Sequence, residues 1–332
     1  MKYIWISFTL VFSSLFFISG CEDHNMSPVN ENSITPVSTY LTSGQCVDSY
    51  IKNLSGTAYS FVSLYSSGMQ ILNVSNPSSP QPVSSYLVSG HAEETSAVKF
   101  DSIPYVFIAS GEGGLYVLNL SNITAPVLDT EISFSGDYIA SVYIDTLRKA
   151  LFTGGSGRNM YIFDLTSLPV VSRISTYQTY SIINEIQVYN SIAYIAQDTG
   201  LDIVNVSNLQ SPVSIAAGST GDTMYDVKLS GNLAVVANNE NGVLLLNVSN
   251  PGNPSQIGFL NTTGIALACS INNNLVYVAE DQTGVEVFDI SNVYNPRFLI
   301  SYNTKSYSEN VTYYNGYTYV SDYNSYVVLK YP

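Results

Sequence analysis

Gly200-Leu-Asp-Ile-Val-Asn-Val-Ser-Asn208 is one of several near-copies of a nine-residue phrase that runs through this 332-residue chain. Gly68-Met-Gln-Ile-Leu-Asn-Val-Ser-Asn76 repeats it, as do Gly114-Leu-Tyr-Val-Leu-Asn-Leu-Ser-Asn122, Gly242-Val-Leu-Leu-Leu-Asn-Val-Ser-Asn250 and Gly284-Val-Glu-Val-Phe-Asp-Ile-Ser-Asn292. A weaker copy, Asn159-Met-Tyr-Ile-Phe-Asp-Leu-Thr-Ser167, and a truncated one, Ser325-Tyr-Val-Val-Leu-Lys-Tyr-Pro332, complete the series. Counted at the sixth residue of each copy (73, 119, 164, 205, 247, 289 and 330), the spacing is 41 to 46 residues. A period of about 40–45 residues, with several short apolar runs in each unit, is the mark of propeller blades.

Each unit holds four candidate strands. In the fifth they are 225–229, 233–237, 243–248 and 256–260, separated by turns rich in Gly, Asn, Ser and Pro. Prolines fall after the third strand or at the start of the fourth, where no ladder donor is needed. No segment downstream of the N-terminal apolar stretch keeps a 3.6-residue period, and β-branched and aromatic residues fill the apolar runs. The seventh unit stops after its third strand, near Leu329. Ile34-Thr-Pro-Val-Ser-Thr-Tyr-Leu-Thr42 meanwhile reads like the fourth strand Gln81-Pro-Val-Ser-Ser-Tyr-Leu-Val88. One strand short at one end and one spare at the other predict an all-β, seven-bladed propeller of four-stranded blades over 34–332. The N-terminal strand completes the last blade and so pairs edges otherwise left open.

Composition fits that architecture. Charged residues make up 11% of the chain against 45% hydrophobic ones, and there are 27 tyrosines. Intrinsic disorder needs the opposite balance. A formal charge of −14 argues against nucleic acid as a partner.

Residues 1–20 read as an export signal: one basic residue, Lys2, then an apolar stretch from Ile4 to Ile18. Ile18-Ser-Gly-Cys21 resembles a bacterial lipobox, which implies acylation of Cys21 as the mature N-terminus. An ordinary signal peptide with a chance cysteine is the alternative. Residues 21–33 read as this cysteine and a tether, its twelve residues 22–33 polar, without a period and reaching at most about 40 Å. The expected address is the bacterial cell envelope, lipid-anchored, on the outer membrane at its surface or periplasmic face.

The repeated phrase resembles the LVIVD repeat, Gly-Leu-x-Ile-Val-Asp-Val-Ser-(Asp/Asn)-Pro, over six units and a partial seventh. That resemblance implies a secreted or surface-anchored bacterial propeller without an assigned reaction. The family's Asp is Asn at 73, 119, 205 and 247, and Asp at 164 and 289. Either side chain can accept the same turn hydrogen bond. The Asn-x-Ser triplets are therefore read as a recurring turn and not as glycosylation acceptors. Trp5, in the signal, is the only tryptophan, which excludes a Trp-Asp repeat.

First strands line the channel of a propeller, and the loops entering them form one mouth. Aligning units on Tyr59, Tyr105, Tyr194, Val235, Tyr277 and Tyr319 places Tyr50, Ser96, Ser141, Glu185, Asp226, Ala268 and Asn310 at equivalent first-strand starts. Asp48, Glu93, Glu94, Asp137 and Glu309 lie in the same loops, a funnel of acids suited to a cation or a hydroxylated ligand. His91, beside Glu93 and Glu94, is the best local cluster for chemistry. With His24 in the tether as the only other histidine, no catalytic set, metal site or cofactor motif is assembled. Cys46 and Cys269 fall in units one and six and read as small buried hydrophobes, a disulfide between them being the lesser alternative. The expectation is a monomeric, non-enzymatic module binding a protein or glycan. A hydrolase or lyase using mouth carboxylates, and a structural subunit of an envelope complex, are the alternatives.

Overall fold

A computed structural model of the chain describes residues 34–331. The signal peptide, Cys21, the tether and His24 lie outside the described residues. Within them, the chain forms seven antiparallel sheets and no helix. Blade 1 runs Asp48–Leu54, Thr57–Ser63, Met69–Asn73 and Gln81–Tyr86, hydrogen-bonded in that order. Five further blades repeat the meander, with first strands Glu94–Phe100, Ile139–Asp145, Ile183–Tyr189, Asp226–Ser230 and Ala268–Asn272. In blade 5 the observed strands lie within one residue of the ranges expected from turn chemistry.

Blade 7 is built from both ends of the propeller. Asn310–Tyr314 pairs with the first part of Tyr317–Lys330, and Thr35–Cys46 pairs with the last part, from Thr35 opposite Lys330 to Leu41 opposite Ser325. Tyr317–Lys330 is itself a hairpin. Tyr319 and Tyr326 would stand roughly 23 Å apart along an extended strand, yet their rings stack with centroids 5.8 Å apart. Tyr323, at φ 51°, makes the reversal. The N-terminal strand is thus the fourth strand of the last blade.

The repeated phrase is a strand followed by two side-chain-built turns. The carboxamide or carboxylate oxygen at its sixth residue accepts the amide N–H two residues on, at 2.8–3.0 Å, in six copies: Asn73, Asn119, Asp164, Asn205, Asn247 and Asp289. The ninth residue does the same at 3.0–3.2 Å from Asn76, Asn122, Asn208, Asn250 and Asn292. Only an acceptor oxygen on a short stem is needed, so Asn and Asp interchange freely.

Seven apolar clusters form the core, each between two neighbouring blades. Second strands such as Ile103–Ala109 are buried on both faces and read as unbroken apolar runs, whereas fourth strands alternate toward solvent. Hydroxyls stitch the outer edges together. Ser38, Ser84, Thr130 and Ser175, each on a fourth strand, donate to the carbonyls of Pro77, Ile123, Pro169 and Leu209 in the next blade at 2.5–2.7 Å.

Candidate site at the channel mouth

The hairpin joining first and second strands sets which residues face one another around the channel. Its ladder spans seven pairs in blades 1 and 2, ending at Leu54 opposite Thr57 and at Phe100 opposite Ile103. In blades 5, 6 and 7 it spans five. Tyr59 and Tyr105 pair with Asn73 and Asn119, the sixth residue of the repeated phrase, whereas Tyr194 and Tyr277 pair with Ile203 and Val287, the fourth, so Tyr59 and Tyr105 lie two residues further from the mouth. Phe61 and Phe107 are the true counterparts. This corrects the sequence alignment in those two blades: the residues opposite the last buried position of the second strand are Asp48 and Glu94, not Tyr50 and Ser96. The ring of equivalent first-strand residues is Asp48, Glu94, Ser141, Glu185, Asp226, Ala268 and Asn310. Four of the seven are acids.

These side chains also clasp blades together. Four of them reach the amide just past the ring residue of the next blade. Asp48 Oδ2 accepts Thr95 N–H at 3.1 Å, and Glu94 Oε2 accepts Val142 N–H at 2.8 Å. Ser141 Oγ accepts Ile186 N–H at 3.1 Å, and Asp226 Oδ2 accepts Cys269 N–H at 2.7 Å. Glu185 breaks the pattern and turns instead to Lys228. Because side chains two apart share a strand face, Lys228 stands directly below Asp226. Its Nζ lies 2.8 Å from Glu185 Oε1 and 2.8 Å from Asp226 Oδ1.

Crowding and burial set the charge state. Burial pushes the Asp48 carboxyl up to about 7, helped by the Glu185 charge and opposed by the Thr95 amide and Lys228. Glu94 is driven well above the usual carboxylate range by burial and then by Glu185 and Asp48. Asp226 is raised by burial against the pull of Lys228. Burial alone would lower the Lys228 ammonium, but Asp226, Glu185 and Glu94 outweigh it and hold it well above its ordinary value.

Above the ring the channel opens into a cavity of about 500 Å³. Its wall includes Asp48, Glu93, Glu94, Glu185, Asp226, Glu309 and Asn310 from the expected set. It also includes Lys228, Tyr65, Tyr225 and Tyr323, which sequence reasoning did not single out. Lys228 had a legible signal, its place two residues after Asp226. The tyrosines come from loops of different blades and had none. Glu309 is raised to about 7 by burial and by Asp281 and Glu93. Glu93 accepts the phenol of Tyr138.

The remaining expected residues sit elsewhere. Tyr50 packs into the cluster between blades 1 and 2, Ser96 is buried further down its strand, and Ser141 is spent on its clasp. His91 lies outside the cavity wall, stacked on Tyr65 at 4.1 Å with Nδ1 3.1 Å from Glu112. Asp137 braces its own blade, accepting the Gly157 amide and the Tyr161 phenol. Cys46 and Cys269 are both buried and unpaired. Among the described residues no group of three or more His, Cys, Asp or Glu is arranged to hold a metal ion.

The LVIVD repeat model matches residues 54–88, 104–133, 183–217, 220–262 and 263–304, more than half of the chain. The chain belongs to the LVIVD-repeat family. The matched stretches are blades 1, 2, 4, 5 and 6. Blades 3 and 7, whose copies open on Asn159 and Ser325 in place of glycine, carry the fold without the matched pattern. Among solved structures, this LVIVD-repeat propeller superposes on the crystal structure of Chaetomium thermophilum Raptor with a TM-score of 0.71 and 10% sequence identity. The match covers 90% of this chain and 28% of the Raptor chain. At that identity the likeness is one of fold, and the chain corresponds to little more than a quarter of the Raptor chain's length. No curated protein matches the sequence.

Proposed function

We propose that this LVIVD-repeat propeller is a lipid-anchored module of the bacterial cell envelope. It binds a protein or glycan at its channel mouth and carries out no reaction there. One observation carries the binding reading: the cavity of about 500 Å³ collects carboxylates from blades 1, 2, 4, 5 and 7 around a single ammonium. A cleft of one sign with low-dielectric walls focuses potential on what enters it. Three of its acids, Asp48, Glu94 and Asp226, each hold a backbone amide of the next blade with one oxygen. That fixes their geometry for binding.

Screening the purified propeller against glycan and envelope-protein arrays is expected to give a ligand whose binding is lost when the ring acids are neutralised, in Asp48→Asn/Glu94→Gln or in Glu185→Gln/Asp226→Asn. Binding that survives both double changes contradicts a mouth site. Turnover of an array component that the same changes abolish points to a hydrolase or lyase instead.

The anchor is supported by Ile18-Ser-Gly-Cys21 and the polar stretch behind it. Two or more acyl chains hold a protein firmly, at about 0.8 kcal/mol per buried methylene. Expressed in a bacterium, the protein is expected in the membrane fraction with a diacylated Cys21, and Cys21→Ala is expected to leave the precursor uncut or release soluble protein. An unmodified Cys21 in the mature protein would overturn the anchor.

A further inference from the structure

The mouth already contains one cation of its own, and its position shows what the ring can hold. Lys228 Nζ sits 2.8 Å from carboxylate oxygens of both Glu185 and Asp226, which come from neighbouring blades 4 and 5. Asp226 is 4% exposed and lines the cavity, its Oδ2 held by the Cys269 amide and its Oδ1 by the Lys228 ion pair. Blades 1 and 2 present a second pair of neighbouring ring acids, Asp48 and Glu94. Each has one oxygen fixed by a backbone amide, and among the described residues no ammonium or guanidinium forms an ion pair with either. The ring thus has two acid pairs, of which one is filled from within.

Resting on the mouth-binding reading above, we propose that the ligand is a protein whose lysine or arginine side chain enters the cavity and sets its charged head between Asp48 and Glu94. The head then occupies the place that Lys228 takes on the other side of the ring. Three features favour a basic protein segment over a sugar. The wall holds six acidic side chains against one basic one. Tyr65, one of the three wall tyrosines on which a sugar would stack, already has a face covered by His91. Tyr225 and Tyr323 line the cavity as well, and a cation is attracted to aromatic rings. The formal charge of −14 steers such a partner toward the propeller.

Binding of this kind expels protons. Asp48, held near pH 7, and Glu94, driven well above the usual carboxylate range by burial, must ionise to receive the cation. A partner dependent on Asp48 ionisation gains about tenfold in affinity between roughly pH 6 and 8.

The test is calorimetric titration of the full-length mature protein with tetralysine, with neutral chitohexaose in parallel. Wild-type protein is expected to bind tetralysine with proton release, seen as a heat that differs between phosphate and Tris buffers. Asp48→Asn/Glu94→Gln, whose amides can still accept the clasping N–H groups, is expected to weaken that binding roughly tenfold or more. Asp101→Asn, on an exposed hairpin with a 91% exposed side chain, is expected to leave it unchanged. Should the double variant not fold, proton release and the rise in affinity with pH in the wild type decide alone. Tetralysine binding that is indifferent to the double variant, or that releases no proton, overturns the inference. Chitohexaose bound at the mouth in place of tetralysine overturns it while leaving the mouth-binding reading intact. If neither probe binds and the arrays show no mouth ligand either, both fall.

Discussion

A protein lacking residues 34–42 is expected to melt at least about 10 °C below the full chain, or not to fold. Among the described residues Thr35–Cys46 is the only partner of the outer edge of Ser325–Lys330, and it supplies the fourth strand of blade 7. Its loss uncovers one side of Tyr326, Val327, Val328 and Leu329, each no more than 3% exposed in the closed ring. It also removes buried Ile34, the packing of Val37 and Tyr40, and the Ser38 hydroxyl clasp to blade 1. Burying a large aliphatic side chain contributes about 1.5–3 kcal/mol, and a hydrogen bond about 1 kcal/mol more. The loss therefore comes to roughly 5 kcal/mol or more, and in a domain of this size each kcal/mol moves the midpoint by about 2 °C. Differential scanning calorimetry of the two proteins checks it. Equal midpoints would mean that the ring does not depend on this strand.

Gly114→Ala is expected to cost about 3–4 kcal/mol, close to 6–8 °C in the same measurement. Gly114 opens the repeated phrase in blade 2 with φ +85°, a conformation that L side chains rarely adopt. A Cβ there would stand 2.2 Å from the carbonyl oxygen of Ile132 on the fourth strand, which is backbone and cannot swing aside. Either the third and fourth strands separate or the phrase loses its turn. Gly242 in blade 5 has the same constraints, with φ +68° and Leu260 O at 2.3 Å, so Gly242→Ala is the replicate. A loss below about 1 kcal/mol at both positions would show that the blade end is more pliable than its geometry implies.

The blade count, the closure and the Asn–Asp exchange were all legible before any coordinates, because each depends on neighbours close in sequence or on periodicity. Asn205 and Asp289 act on amides two residues away. Thr35–Cys46 declares itself by likeness to other fourth strands. The mouth was only partly legible, for the opposite reason. Whether Asp48 or Tyr50 enters the ring depends on how far the hairpin ladder runs before it turns, and Tyr59 and Tyr105 gave a false reference. The blade clasps join residues 43 to 48 positions apart, such as Asp226 with Cys269 and Glu94 with Val142, so no local pattern announces them. Tyr65 and Tyr323 reach the mouth from turns between second and third strands, a placement fixed by blade packing and not by composition.

The central claim is that first-strand acids from several blades converge on one poorly solvated mouth. Asp48 reports on it most directly, because its upward shift comes first from burial and then from Glu185, three blades away around the ring. A carboxyl raised in the folded state holds its proton where the unfolded chain has released it. Its contribution to stability is therefore complete below about pH 4 and is lost as the pH rises through its folded value. Following the Asp48 carboxyl carbon by NMR in aspartate-labelled protein from about pH 3 to 9, with Asp48→Asn to assign the resonance, measures that value. The convergent mouth predicts a midpoint of about 7. A midpoint near the ordinary aspartate value of about 4 would mean that Asp48 is well solvated and far from the other acids, and the mouth described here would not exist.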